Sequence, residues 1–175
     1  MEKEKELEIE KDIKNKLKIL KTDEERFYYL EEIKEKIDML NKKTRKTFYK
    51  ILGDHAFKID KLKESAEAYE NAGYIKGLIE VGKKYLKKGW IGNAGDIFMK
   101  VKYNKGLIEV GNKWFKKGDL EKAVEAYKEA KYRKGLVKVA NEYIKIGLIE
   151  DAIKTYEIIG DIKKITELIK KYKEK

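Results

Sequence analysis

The sequence predicts an all-α protein: a solenoid of helix-turn-helix repeats behind an N-terminal helical hairpin. Three observations carry that expectation. One string returns at a fixed spacing of 29 residues, as Gly77-Leu78-Ile79-Glu80-Val81-Gly82, Gly106-Leu107-Ile108-Glu109-Val110-Gly111 and Gly135-Leu136-Val137-Lys138-Val139-Ala140. Apolar residues inside each copy follow helical spacing, so that Leu107, Val110, Gly111 and Trp114 fall on one face. Glycine then interrupts each copy near its middle, at Gly89, Gly118 and Gly147. Self-similarity at such a period marks supersecondary units that bury a core by stacking on their neighbours.

Taken in order, residues 1–47 stand outside the repeat and read as a helical hairpin. Leu7, Ile13, Leu17 and Leu20 suit an amphipathic first helix. Thr22 followed by Glu25 is a capping box that opens a second. Phe27, Leu30, Ile33, Ile37 and Leu40 give that helix its stripe, and residues 41–46 read as the connection. This hairpin is either a cap on the first repeat or a pairing element for a homodimer.

Four hairpins follow over residues 48–163, beginning near residues 48, 77, 106 and 135. In the third, Gly118 suits the end of the first helix and Asp119 the N-cap of the next. Leu120, Ala123, Val124, Tyr127 and Ala130 then face inward. Asp60 stands at the corresponding turn of the first hairpin. Gly82 and Gly111, with Ala140 in their column, lie mid-helix, where each glycine costs about 1 kcal/mol relative to Ala. Close approach of the partner helix explains them, opposite the small residues Ser65, Ala94, Ala123 and Ala152. The second hairpin is the weakest, because Gly92 and Gly95 fall inside its second helix, and fraying or a hinge is expected there. Residues 164–175 read as a C-terminal capping helix, in which Ile165, Leu168 and Tyr172 repeat Leu136, Val139 and Tyr143.

These columns resemble the tetratricopeptide repeat. The third copy carries Val110-Gly111, Trp114, Gly118-Asp119, Ala123, Tyr127 and Ala130; the fourth carries Val139-Ala140, Tyr143, Gly147, Ala152, Tyr156 and Ile159. The first, looser copy has Leu52-Gly53, Ala56, Asp60, Ser65, Tyr69 and Ala72. The resemblance spans residues 48–175 and implies a right-handed α-solenoid that binds proteins in a concave groove. Two departures stand out: the period is 29 rather than about 34 residues, and the terminal proline is missing. Short repeats of this length also resemble the helical hairpins of vesicle-coat-type solenoids, which again implies a scaffold.

Composition narrows the function. The formal net charge is +11. Residues 1–47 hold 14 basic and 13 acidic side chains, so the excess sits on the repeats and favours acidic partners at long range. Abundant Lys, Glu and Ile, with no Cys or Gln, resembles usage in proteins from hot environments. No apolar run approaches the roughly 20 residues of a bilayer span, and the alternating Glu and Lys of the N-terminus differ from a signal peptide. A cytoplasmic, membrane-free protein is expected.

Catalytic and metal chemistry lack parts. There is no cysteine and one histidine, His55, expected at a helix surface in a structural role. Gly89, Gly92 and Gly95 are followed by no Gly-Lys-Ser/Thr, so no phosphate loop is implied. Neither a cofactor nor an enzymatic activity is expected.

What remains is the stripe that packing leaves open on each first helix. In the second hairpin it is Lys76, Ile79, Lys83, Leu86 and Lys87. The third offers Lys105, Ile108, Asn112, Phe115 and Lys116, and the fourth Lys134, Val137, Asn141, Ile144 and Lys145. In a tetratricopeptide-like stack these positions line the groove, which would grip an acidic or amphipathic segment of a partner protein. Gly111-Asn112 and Ala140-Asn141 are similar to the clamp by which members of that family hold a peptide backbone or terminal carboxylate. The acidic N-terminal helix, with Leu7, Ile9 and Ile13, is an alternative occupant of the same groove. A second function is association with nucleic acid or the ribosome, since Tyr74, Tyr103 and Tyr132 recur beside Lys76, Lys105, Arg133 and Lys134.

Overall fold

A computed structural model describes residues 2–172, apart from the side chain of Glu2; residues 173–175 of the expected capping helix lie outside the described residues. All regular structure among the described residues is helical. The chain divides into two compact units, Met1–Val81 and Gly82–Lys175, the division falling inside one helix.

The first unit opens with α1 (Glu2–Ile19), α2 (Asp23–Glu32) and α3 (Lys34–Asp38). Thr22 and Glu25 form the capping box: the threonine oxygen accepts from the Glu25 N–H at 3.0 Å, and the glutamate accepts from the Thr22 N–H at 3.1 Å. The expected single helix beyond it is broken at Ile33, whose φ/ψ of −100°/15° separates α2 from α3. Phe27, Leu30, Ile33, Ile37 and Leu40 are nevertheless all buried. The expected connection at residues 41–46 is also corrected. Asn41 caps α4 (Lys42–Lys58), its side-chain oxygen accepting from the N–H groups of Lys43 and Thr44. α1 packs Ile13 fully into this core, with Ile9 and Leu17 partly buried. Ile9 and Ile13 are therefore spent on the first unit rather than held in reserve for a groove.

His55 is a third correction. It is buried, and its Nδ1 lies 2.6 Å from Asp23 Oδ1 on α2. The same carboxylate accepts from Lys58 at 3.0 Å. The Lys58 ammonium, and after it His55, hold the Asp23 carboxyl below its usual 3.8.

The hairpins pair α4 with α5 (Leu62–Ala72), α6 (Ile75–Lys87) with α7 (Ile91–Lys100), α8 (Asn104–Lys116) with α9 (Leu120–Glu129), and α10 (Arg133–Lys145) with α11 (Ile149–Ile159). α12 (Ile162–Tyr172) follows, with Leu168 buried. Every turn between paired helices is closed by one left-handed residue: Asp60, Gly89, Gly118 and Gly147, at φ between 66° and 82°. The next N–H in each case reaches back five residues, as Asp119 to the Trp114 carbonyl at 3.1 Å. The connections between hairpins use the same device at Gly73, Lys102, Lys131 and Gly160. There Tyr74, Tyr103 and Tyr132 donate to the carbonyls of Tyr69, Phe98 and Tyr127 at 2.8 Å. Two such minimal Schellman turns per repeat account for the short period.

The mid-helix glycines serve an aromatic ring rather than a backbone contact. A Cβ on Gly82 would lie 2.4 Å from the Phe98 ring, and one on Gly106, in the next first helix, also 2.4 Å. Tyr127 is clasped the same way between Gly111 and Gly135, and Tyr69 between Gly53 and Gly77. Ser65, Ala94, Ala123 and Ala152 are wholly buried beside these rings, and Ser65 Oγ donates to the Gly53 carbonyl at 2.9 Å. α7, expected to fray, is an unbroken helix through Gly92 and Gly95.

Two outcomes test this packing. Gly106→Ala adds helix propensity but presses on a ring that has a helix on each side, so a net loss of about 1–2 kcal/mol and a lower Tm are expected. Gly92→Ala, with no atom within 4 Å of the new methyl, should gain stability instead. Asp23→Asn should destabilise the chain at neutral pH. Because the folded carboxyl titrates below its usual value, the contribution is present above that value and lost as pH falls through the lowered pKa. Urea unfolding of wild type and variant should therefore converge in acid.

Candidate functional site

In the second unit the first helices α8 and α10 are in contact, and each carries exposed and half-buried residues on one stripe. On α8, Lys105, Asn112 and Lys116 are exposed while Ile108 and Phe115 are half-buried. α10 repeats the pattern with exposed Lys134, Asn141 and Lys145 beside half-buried Val137 and Ile144. Phe115, Asn141, Ile144 and Lys145 meet around an open hollow of about 640 Å³, together with Lys138 and Glu142. The Lys138 ammonium stands 4.0 Å from the centre of the Phe115 ring, a cation–π contact. Lys145 is bonded to Glu142 at 2.9 Å. Lys105, Lys116, Lys134 and Lys138 have no ion-pair partner among the described residues.

The second hairpin departs from this pattern. Lys83 and Lys87 are exposed, but Leu86 is 4% exposed and belongs to the core, not to a groove. A repeat column gives a residue's place on its helix, not what packs over it. Lys76, exposed, and Ile79, half-buried, fall in the first unit, on the earlier part of α6.

Lys76, Lys105 and Lys134 share a further property: each is the second residue of its helix. The first turns of α6, α8 and α10 carry no acidic residue. A cation there opposes the helix dipole, at a typical cost of 0.3–1 kcal/mol. Helix stability does not account for these lysines.

Asn112 and Asn141 are not free clamps. Asn112 Oδ1 accepts from the Tyr127 hydroxyl at 2.8 Å, and Asn141 Oδ1 from that of Tyr156 at 2.9 Å. In the first hairpin Asp54 takes the place of the asparagine and accepts from Tyr69 at 2.9 Å. A carboxylate at that place fixes the tyrosine as donor, which leaves each asparagine its N–H₂ for other partners. The second hairpin has Lys83 and Phe98 in these columns, so acceptor and hydroxyl are lost together. Desolvation raises the phenol pKa of Tyr69, Tyr127 and Tyr156.

Tyr74, Tyr103 and Tyr132, the aromatics offered for base stacking, pack instead on the clasped rings. Their centres lie 5.3, 5.3 and 5.6 Å from those of Tyr69, Phe98 and Tyr127. Lys138 was missed by spacing alone, although its column changes sign from Glu80 and Glu109. Among the described residues no group of three or more His, Cys, Asp or Glu could hold a metal ion, and no helix is long and apolar enough to cross a membrane.

No family model matches the chain, and no curated protein matches it. Among solved structures it is similar to one titled "Crystal structure of MamA protein", at 19% identity and a TM-score of 0.36, over 71% of this chain and 81% of that one.

The hydroxyl–amide pair is measurable by a double-mutant cycle. Asn112→Leu should cost about 1 kcal/mol by stranding the Tyr127 hydroxyl, and adding Tyr127→Phe should restore most of it. Chemical denaturation of the three variants reads the coupling; additive losses would show that the bond contributes nothing.

Proposed function

We propose that the chain is a non-enzymatic protein-interaction scaffold in the cytoplasm, holding an acidic or amphipathic partner segment across the first-helix face of its second unit. The observation that carries this reading is the pairing of half-exposed apolar side chains, Phe115 and Ile144, with Lys105, Lys116, Lys134 and Lys138, which no carboxylate among the described residues neutralises. The apolar strip would take the hydrophobic side of a partner helix, and the lysines its acidic flanks. Asn112 and Asn141, held through their oxygens, offer N–H donors to a partner's carbonyls or carboxylates. The lysines opening α8 and α10 gain most from such a partner, since its anions would also meet the positive end of each helix dipole.

A fluorescently labelled helical peptide with leucines on one face and glutamates beside them tests the proposal by anisotropy. Phe115→Ser, and separately Lys116→Glu with Lys134→Glu and Lys138→Glu, should each weaken binding about tenfold or more. Raising the salt concentration should weaken it further. Unchanged binding by folded variants, or equal binding of a lysine-flanked peptide, would reject this face. Tight binding of a labelled RNA that the same charge reversals abolish would assign the face to nucleic acid instead.

A further inference from the structure

Gly92 and Gly95 are the glycines that ring packing leaves unexplained. Gly92 lies in the first turn of α7 and Gly95 in its interior, where glycine costs about 1 kcal/mol relative to Ala. A Cβ on Gly92 would meet nothing within 4 Å, and one on Gly95 would make an ordinary 3.5 Å contact with Val110. No close approach requires either of them. The other hairpins place Lys63, Glu121 and Glu150 in the Gly92 column, and Ala66, Val124 and Ile153 in the Gly95 column. What the missing side chains leave is space: a pocket of about 220 Å³ bounded by α7, α8 and α9 within the second unit.

The chemistry of the walls selects an occupant. Leu107, Val110 and the half-buried Trp114 present an apolar and aromatic surface, with Met99 beside it. Asp96 and Glu125 also line the pocket, and neither carboxylate has an ion-pair partner among the described residues. Lys122 reaches it too, but its ammonium is held by Asp119 at 2.7 Å and lies 4.6 Å from the centre of the Trp114 ring. With Lys117 at 5.6 Å, the chain already rests two ammonium groups on this indole, as the π-face favours. The volume is below the roughly 300–1,000 Å³ of pockets for drug-sized ligands, which restricts the occupant to a ring with a short arm.

We infer that this pocket is a binding site for a small primary arylalkylamine, with the ring on the Leu107, Val110 and Trp114 surface and the ammonium at the Asp96 and Glu125 carboxylates. The site is bounded by α7, α8 and α9 and shares no lining residue with the hollow around Phe115. It stands whether or not that face binds a partner.

Titrating 2-phenylethylamine into the isotopically labelled full chain tests the site by NMR, following the amides of Gly92 and Gly95 and the Trp114 indole N–H. Saturable shifts are expected, with 2-phenylethanol, the uncharged counterpart, binding at least about tenfold more weakly. Gly95→Leu fills the space while improving helix propensity, so it should fold and lose the amine. Asp96→Asn with Glu125→Gln should reduce the amine to the affinity of the alcohol. The inference is overturned by the absence of saturable shifts, by equal affinity for amine and alcohol, or by a folded Gly95→Leu chain that still binds.

Discussion

An aromatic ring pressed between two glycines is the contact on which the first three repeats depend; in the fourth, Ala140 and Lys164 stand in the glycine columns around Tyr156. The ring belongs to a second helix, and its two faces meet the first helix of its own hairpin and that of the next. Phe98 does this between Gly82 and Gly106, and Tyr127 between Gly111 and Gly135. A large planar group contributes more buried area than any aliphatic side chain, and glycine lets that area reach backbone on both sides. The helix propensity lost at each glycine is thereby offset. The same ring also sets the spacing of the two first helices that it separates.

The packing and the candidate surface are joined through one atom. Tyr127 and Tyr156 are buried rings whose hydroxyls emerge at Asn112 and Asn141 on the first-helix face. The residue that spaces the hairpins therefore also orients an amide toward solvent. Where the ring is Phe98, the corresponding position is Lys83, and the face changes from amide to ammonium. The surface chemistry of a repeat follows from whether its wedge carries a hydroxyl.

Periodicity made the fold legible. The 29-residue string, the capping box at Thr22 and the left-handed turns at Asp60, Gly89, Gly118 and Gly147 all stand where local sequence rules put them. The second set of turns was harder to see, because Lys102 and Lys131 hide the column that Gly73 and Gly160 reveal. Long-range contacts were not legible. Nothing in its own segment says that His55 meets Asp23 across 32 residues, or that Leu86 is covered while Phe115 and Ile144 stay half-open. The break at Ile33 escaped for a related reason, since an apolar stripe continues through α2 and α3 whether or not one backbone residue leaves the helix. At the candidate surface Lys105, Lys116, Lys134 and Lys145 were visible by spacing, and Lys138 was not. The tyrosine bonds to Asn112 and Asn141 required knowing that a ring passes beneath the first helix.

The paired Schellman turns bear on how the chain acquires its structure. All of them are made without proline, which the sequence lacks, so no slow imide isomerisation delays their closure. Each hairpin joins neighbours that are already close along the polypeptide, a topology associated with rapid acquisition of structure. A nascent chain can thus close one hairpin as soon as it has been synthesised, each new ring finding its first glycine at once and its second when the following helix arrives.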